Sequence, residues 1–275
     1  MANEPQKVYN LRSFNQTITS PAAQKYLDEL LHEQKGSFVN NLTALVANKV
    51  ELQECEPYSL MFAALKATAL SLPLEPSLGI AHVIPYKNKK KGTVEAQFQI
   101  GYKGFQQLAL RTGQYKTINT TDVREGELVR RNRLTGEIEF RFIENEKERL
   151  KAPIIGYVNY FRLLNGFEST FYMSKEEMNA HALRYSQTYK STTAYIKEQS
   201  KWTTDFDAMA MKTVIKLNLS KNGVLSVELV EAIKADSAVL GENNSVRYID
   251  NEEDAIDLEK AAAVQKAFKN FDGKE

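Results

Sequence analysis

The chain has 275 residues, 43% hydrophobic and 26% charged, with a net charge of +1, a composition that supplies a real core and fits one compact domain with an appendage. No run of about 18 apolar residues occurs, which excludes a helical membrane span, and Met1-Ala-Asn-Glu-Pro lacks the basic and apolar regions of a secretory leader, so a cytoplasmic location is expected. Cys55 is the single cysteine, which excludes an intrachain disulfide and a cysteine-rich zinc cluster and leaves it as a structural helix residue.

Ser20-Pro21 is a cap followed by proline at the first helical position, and Tyr26, Leu27, Leu30 and Leu31 then recur at helical spacing to about residue 33. A second helix is expected from Gly36 through Phe38, Leu42, Leu45, Val46 and Val50, and a third from Pro57 through Leu70, closed by Pro73 and Pro76. Strands follow at residues 79–86 and 94–100, joined by Lys87-Asn-Lys-Lys-Lys-Gly-Thr93 as a β-hairpin with a basic tip. Residues 102–112 form a short helix ended by Gly113. Strand signals resume at 115–123, 127–131 and 137–143, then at 154–164 and 167–173, the last pair turning at Asn165-Gly166. Ser174-Lys-Glu-Glu177 is a capping box opening another helix, residues 185–201 read as irregular, and an amphipathic helix spans 205–219 before Asn222-Gly223. A helix at 225–239 and a tethered amphipathic segment at 255–271 complete the pattern. The fold class is α+β: N-terminal helices, then a hairpin and strand-rich sheet packed against helices, with residues 1–240 as core and 241–275 as a flexible acidic tail containing a short helix.

Charge is unevenly distributed. Residues 87–116 carry seven basic side chains against one acidic, and residues 184–221 seven against three, whereas beyond Gly241 nine acidic residues outnumber five basic ones. Lys89, Lys90 and Lys91 at the hairpin tip suit either phosphate contact or a solvated loop that discourages edge pairing. Lys103, Arg111 and Lys116 are interleaved with Tyr102, Phe105 and Tyr115; cations track phosphates and rings stack on bases, although the helical spacing assigns Phe105 to the core. Lys212 and Lys216, four apart, are expected on one exposed face beside a buried stripe of Phe206, Ala210, Thr213 and Leu217. Asp205 and Asp207 fit the first helical turn, where they satisfy the dipole, better than a metal site.

Several chemistries are missing. There is no G-x-x-x-x-G-K-[ST] loop, so no ATP-driven step is expected. His32, His82 and His181 lack metal-ligand spacing, and no Ser or Cys nucleophile has an identifiable base near it in sequence, so neither enzymatic chemistry nor a cofactor is expected.

At Leu72-Pro-Leu-Glu-Pro-Ser-Leu-Gly79, Val83-Ile-Pro-Tyr86, Gln97-Phe-Gln-Ile-Gly-Tyr-Lys-Gly104 and Leu108-Ala-Leu-Arg-Thr-Gly-Gln-Tyr-Lys116 the chain resembles the RecT family of phage annealing proteins. The likeness continues through Met173-Ser174 and Trp202 to Lys212-Thr-Val-Ile-Lys216, covering roughly residues 20 to 225. It implies an oligomeric ring or helical filament that holds single-stranded DNA in a basic groove, accepts a complementary strand to give annealed duplex, and works in a bacterial host with a phage 5′-to-3′ exonuclease. Carried onto this chain, it places Lys103, Arg111, Lys116, Lys212 and Lys216 in or near the groove, with Lys190, Tyr189 and Trp202 from the intervening segment. Leu217-Asn-Leu-Ser-Lys-Asn-Gly223 departs from the more basic, proline-ended stretch of relatives, which bears on Lys221. Gly101 and Gly104 suit close approach of phosphates or, equally, tight packing.

Overall fold

The computed structural model describes residues 9–88, 92–186, 188–198, 200–236, 238–240 and 246–248. The architecture is α+β, and it divides into two compact units that share the chain in alternating segments: residues 1–74, 82–99 and 235–275 in one, residues 75–81 and 100–234 in the other.

The first unit is led by helices. Helix α1 (Leu11–Ile18) begins with a reciprocal cap in which Asn10 Oδ1 accepts from the Ser13 amide at 3.0 Å and Ser13 Oγ accepts from the Asn10 amide at 2.9 Å. This helix precedes the first one expected from sequence, because its cap pairs Asn with Ser in place of the more familiar Glu or Gln partner. Helix α2 (Pro21–Leu31) starts at Ser20-Pro21 as expected, and a single tight turn (His32–Gln34) leads into α3 (Lys35–Asn48). After the one-turn α4 (Val50–Gln53), α5 (Pro57–Ala69) is capped by Glu56, whose carboxylate accepts from the Tyr58 and Ser59 amides. Strands β1 (Ala81–Asn88) and β2 (Thr93–Ile100) pair as the expected hairpin. Ser59 Oγ accepts from the Ala96 amide at 2.7 Å, and the Glu56 amide donates to the Val94 carbonyl at 2.7 Å, so the start of α5 is pinned to β2. Cys55 is buried there, and burial, reinforced by Glu54, Glu51 and Glu56, pushes its thiol up to about 12, as befits a structural residue.

The second unit is built on a three-stranded antiparallel sheet. Helix α6 (Tyr102–Arg111) ends at Gly113, whose φ of +67° is the left-handed conformation that stops it. Then come β3 (Tyr115–Arg124), the small hairpin β4 (Leu128–Arg131) and β5 (Ile138–Phe140), one-turn α7 (Glu146–Arg149), β6 (Ile154–Leu163) and β7 (Glu168–Ser174). The strand order is β3-β6-β7, and β6 and β7 turn at Asn165-Gly166, where Gly166 has φ +90°. Ser174 opens α8 (Lys175–Tyr185) with both halves of its capping box. The stretch read as irregular contains two short helices, α9 (Ala194–Glu198) and α10 (Lys201–Thr204), before α11 (Phe206–Asn222) and α12 (Val227–Ala235).

Alternation along β6 covers both faces of this sheet. On one side Tyr157 packs with Met178, Ala182, Trp202, Ala210 and Val214 from α8, α10 and α11. On the other, Val158 packs with Val123 and Tyr172 under Leu128, Ile138 and Phe140 of the small hairpin. Helix α7 is fastened by Arg149, whose Nε reaches Glu127 Oε1 at 2.7 Å and whose Nη2 reaches Asp122 Oδ1 at 3.2 Å, while Arg124 Nε takes Asp122 Oδ2 at 2.8 Å.

Helix α11 packs on α6 and on all three strands. The expectation of an amphipathic helix is therefore corrected: Ala210, Lys212, Thr213, Val214, Ile215, Asn218 and Leu219 are all buried, and together they occupy most of its circumference. The helix expected at 225–239 stops at Ala235, and Ala238–Leu240 instead forms β8, antiparallel to β9 (Val246–Tyr248). Apart from β9, residues 241–275, including the helix expected at 255–271, lie outside the described residues.

Candidate nucleic-acid interface

All of the basic positions nominated after residue 100 fall in the second unit, where they form two groups linked by α11. The first group lies where α6, β3 and α11 meet. Arg111 closes α6, and four residues later the Tyr115 hydroxyl accepts from the Val224 amide at 2.8 Å, immediately beyond Gly223, which caps α11. That bond draws Lys221, in the last turn of α11, to the end of the unit that carries Arg111 and Lys116. Lys116 is the extra residue of a β-bulge between Tyr115 and Thr117, a place where strand alternation is interrupted and a side chain is re-aimed. Arg111, Lys116 and Lys221 are all exposed.

The second group is drawn from α8, the stretch that holds α9 and α10, and Lys216 of α11. Lys216 is half-buried and Arg184 exposed, and both act on the His181 imidazole of α8: burial first, then the positive charges of Lys216 and Arg184, pull its pKa down to about 4. The imidazole is held neutral chiefly by its burial, and the two cations add to that effect. Exposed Lys190, Lys197 and Lys201 belong to the same stretch. Lys216 and Lys221 are five residues apart, about 7.5 Å along the helix axis at the usual rise, so α11 spans the gap between the two groups. Lys103, exposed in the first turn of α6, lies about 12 Å along that helix from Arg111.

The nominated aromatic residues serve the core. Trp202 is only 7% exposed and packs edge-on against Phe206 at 5.4 Å between ring centroids. Tyr189 faces Trp202 at 6.4 Å, carries the Lys197 ammonium 5.5 Å above its ring, and donates its hydroxyl to Asn179 Oδ1 at 2.8 Å. Lys212 is likewise 7% exposed, so the exposed Lys212–Lys216 face expected from their spacing does not form. An i,i+4 pair covers an arc of about 40°, but a helix covered from several sides leaves no arc wholly outside. Gly104 is resolved in favour of packing: a Cβ there would stand 2.3 Å from the Ile80 carbonyl oxygen and 2.7 Å from Ile100 Cγ2. The Gly101 amide donates to that same carbonyl at 2.8 Å. Asp207 accepts from the Tyr157 hydroxyl, and burial together with this carboxylate pushes the phenol up so that it remains the donor. Lys89, Lys90 and Lys91 lie outside the described residues.

Six arginines on and around the sheet behave differently from these lysines. Arg124, Arg130, Arg131, Arg133, Arg149 and Arg162 each lie within 4.0 Å of a carboxylate. Among the described residues, Lys103, Lys116, Lys190, Lys201 and Lys221 make no such pair. Arg184, Lys197 and Lys201 were not nominated individually, although the excess of positive charge across residues 184–221 already contained them. The described residues hold no group of three His, Cys, Asp or Glu suited to a metal ion, and no helix among them is long and apolar enough to cross a membrane.

Fold and surface together define an α+β protein whose second unit pairs six arginines with carboxylates and leaves Lys103, Lys116, Lys190, Lys201 and Lys221 exposed. The chain belongs to the RecT family, whose profile matches residues 36–256, and is thereby a recombination-related protein. It is similar to the uncharacterized protein YqaK of Bacillus subtilis (strain 168), at 38% identity over 263 residues, covering 94% of this chain and 85% of that one. It is also similar to Protein RecT of Escherichia coli (strain K12), at 27% identity over 258 residues, covering 86% of this chain and 88% of that one.

Proposed function

We propose that this protein binds single-stranded DNA and anneals complementary strands without ATP, as a self-assembled ring or filament that retains the annealed duplex. The observation that carries the reading is that exposed Lys103, Lys116, Lys190, Lys201 and Lys221 of the second unit make no ion pair with a carboxylate among the described residues, in a chain of the RecT family. Lys103, Arg111, Lys116, Lys190, Lys216 and Lys221 neutralise phosphates along the strand; Lys212 and Trp202, both buried, shape the wall that holds them. Lys89, Lys90 and Lys91 supply further phosphate contacts from the hairpin. Neutralising the backbone leaves base edges available, so Watson–Crick pairing with the incoming strand provides the specificity and the protein needs no base readout. Residues 1–240 are the binding and self-association core. Residues 241–275 form an acidic appendage that contacts a 5′-to-3′ exonuclease supplying the single strand.

The test is to mix complementary labelled oligonucleotides with the protein in the absence of any nucleotide. Accelerated pairing is expected. Pairing slower than in buffer would make the protein a passive single-strand binder, and loss of the strands on adding magnesium would make it a nuclease.

A further inference from the structure

The turn between β6 and β7 carries an apolar residue on each side of Asn165-Gly166. Leu164 exposes 64% of its surface and Phe167 47%, the largest fraction of any phenylalanine among the described residues. Surface turns are ordinarily built from small polar residues and burying either side chain would be favourable, so this turn gives up stability to keep a ring in solvent. The ring is nonetheless firmly held. Asn165 Oδ1 accepts from the Phe167 amide at 3.0 Å, and the Phe167 carbonyl accepts from the Leu163 amide at 2.8 Å, so both backbone polar groups of the residue are bonded. On its inner side the ring meets Phe161 at 6.1 Å between centroids, and the wholly buried Phe161 in turn meets Tyr115 at 5.3 Å. Phe167 is thus the open end of a row of three rings.

Elements distant in sequence bring cations to the same end of the unit. Leu163, bonded to Phe167, is the strand partner of Tyr115, and Lys116 follows as the bulge residue. Two residues beyond Phe167, Ser169 Oγ donates to Asn218 Oδ1 at 2.7 Å and accepts from Asn222 Nδ2 at 3.1 Å, which seats the last turn of α11, with Lys221, against the start of β7. Lys116 and Lys221 are exposed and make no ion pair with a carboxylate among the described residues, whereas Glu168, next to the ring in sequence, is taken by Arg162 at 3.2 Å. Two copies of the chain meeting through this end would set cations against cations; a polynucleotide supplies phosphates for the lysines and a flat apolar face for the ring, whatever the base. We propose that Phe167 is a stacking platform for a base of the bound single strand, an inference that rests on the DNA-binding reading above.

The experiment measures binding of the full-length protein to an oligothymidylate and to an abasic oligonucleotide of equal length, by fluorescence anisotropy across a salt series. Phe167→Ala is expected to weaken oligothymidylate binding roughly 5- to 150-fold, the range of one lost stack, with the salt slope unchanged because no charge is removed. Since alanine also uncovers Phe161, Phe167→Leu serves as the second variant: it keeps an apolar cover and the wild-type melting temperature but has no ring face, and should lose at least about fivefold. Phe167→Tyr, which keeps the ring, should bind oligothymidylate within about twofold of wild type, and all four proteins should bind the abasic strand alike. Equal oligothymidylate affinity for wild type and Phe167→Leu overturns the assignment, as does an equal loss on the abasic strand. A change in the oligomeric state of Phe167→Leu by sedimentation also overturns it, because the ring would then serve a contact between copies. Failure of the wild-type protein to bind either oligonucleotide would instead remove the DNA-binding reading beneath it.

Discussion

Replacing Lys116 and Lys221 together by alanine tests whether the junction of α6, β3 and α11 carries phosphate. Both side chains are exposed and lack a carboxylate partner among the described residues, and the Tyr115–Val224 hydrogen bond brings their elements together. Each cation that neutralises a single-strand phosphate contributes roughly 0.7 to the slope of log K against log salt, so the double variant should lose about 1.4. In 0.1 M salt that corresponds to about fivefold per lysine and about 25-fold for the pair; in 0.3 M salt the pair is worth only about fivefold. The assay is a titration of labelled oligothymidylate at several salt concentrations, and the deficit should narrow as salt rises. Arg130→Ala is the control, since Arg130 is also exposed but sits 3.6 Å from Glu137. A double variant with the wild-type slope, or an Arg130→Ala slope reduced as far, would refute the placement of the strand.

Five further outcomes follow from the packing. Asn218→Leu should cost about 3 kcal/mol in chemical denaturation, because it strips hydrogen-bond partners from buried Asn159 and Ser169, each worth roughly 1–3 kcal/mol when left unsatisfied. Arg149→Met leaves the wholly buried Glu127 without its cation and should cost about 3–5 kcal/mol by the same measurement. Burial alone would raise the Asp122 carboxyl, but hydrogen bonds and charge from Arg149 and Arg124 outweigh it and hold its pKa below the usual value. Its contribution to stability is therefore present above about pH 4 and lost as pH falls through the lowered folded value; a thermal-melting series below pH 5 should show a shallower fall in Arg149→Met than in wild type. His181 titrates near 4 when folded and near 6.5 when unfolded, so the unfolded chain takes up the proton first and stability should decline from pH 6.5 to 4; His181→Gln should flatten that stretch of the melting curve. Gly104→Ala drives a methyl group into the Ile80 carbonyl and should lower stability by at least about 1–3 kcal/mol on denaturant titration.

What the sequence disclosed was local. Asn165-Gly166, Gly113 and the Ser174–Glu177 box each encode their geometry within four residues, and each marks a turn, stop or start in the structure. The hairpin at residues 81–100 and the helices from Pro21 and Pro57 followed from proline placement and periodicity in the same way. What it concealed was set by partners distant in the chain. Lys212 looks like a surface lysine until the sheet and α6 close around α11, and Trp202 looks like a stacking platform until Tyr157, Met178 and Val214 surround it. The role of Gly104 depends on Ile80, twenty-four residues earlier. The pairing of sheet arginines, which separates them from the exposed lysines, likewise joins residues as far apart as Arg131 and Glu177.

A polar seam fixes where the cations of α11 emerge. Apolar contacts from Val214, Ile215 and Leu219 would tolerate a modest rotation of the helix, because dispersion and area burial are not directional. Hydrogen bonds are. Asn218 Nδ2 donates to Asn159 Oδ1 at 2.7 Å, and Asn218 Oδ1 accepts from Ser169 Oγ at 2.7 Å and Asn222 Nδ2 at 3.1 Å; Asn159 Nδ2 in turn donates to the Asn119 carbonyl and Thr120 Oγ1. The seam thus runs from β3 through β6 to α11 and on to β7, using both polar atoms of a side chain with no exposed surface. A shift of one residue turns a helix by 100° and would break every one of these bonds while carrying Lys216 and Lys221 to new positions. The asparagines of Leu217-Asn-Leu-Ser-Lys-Asn-Gly223 therefore set the register of the lysines beside them.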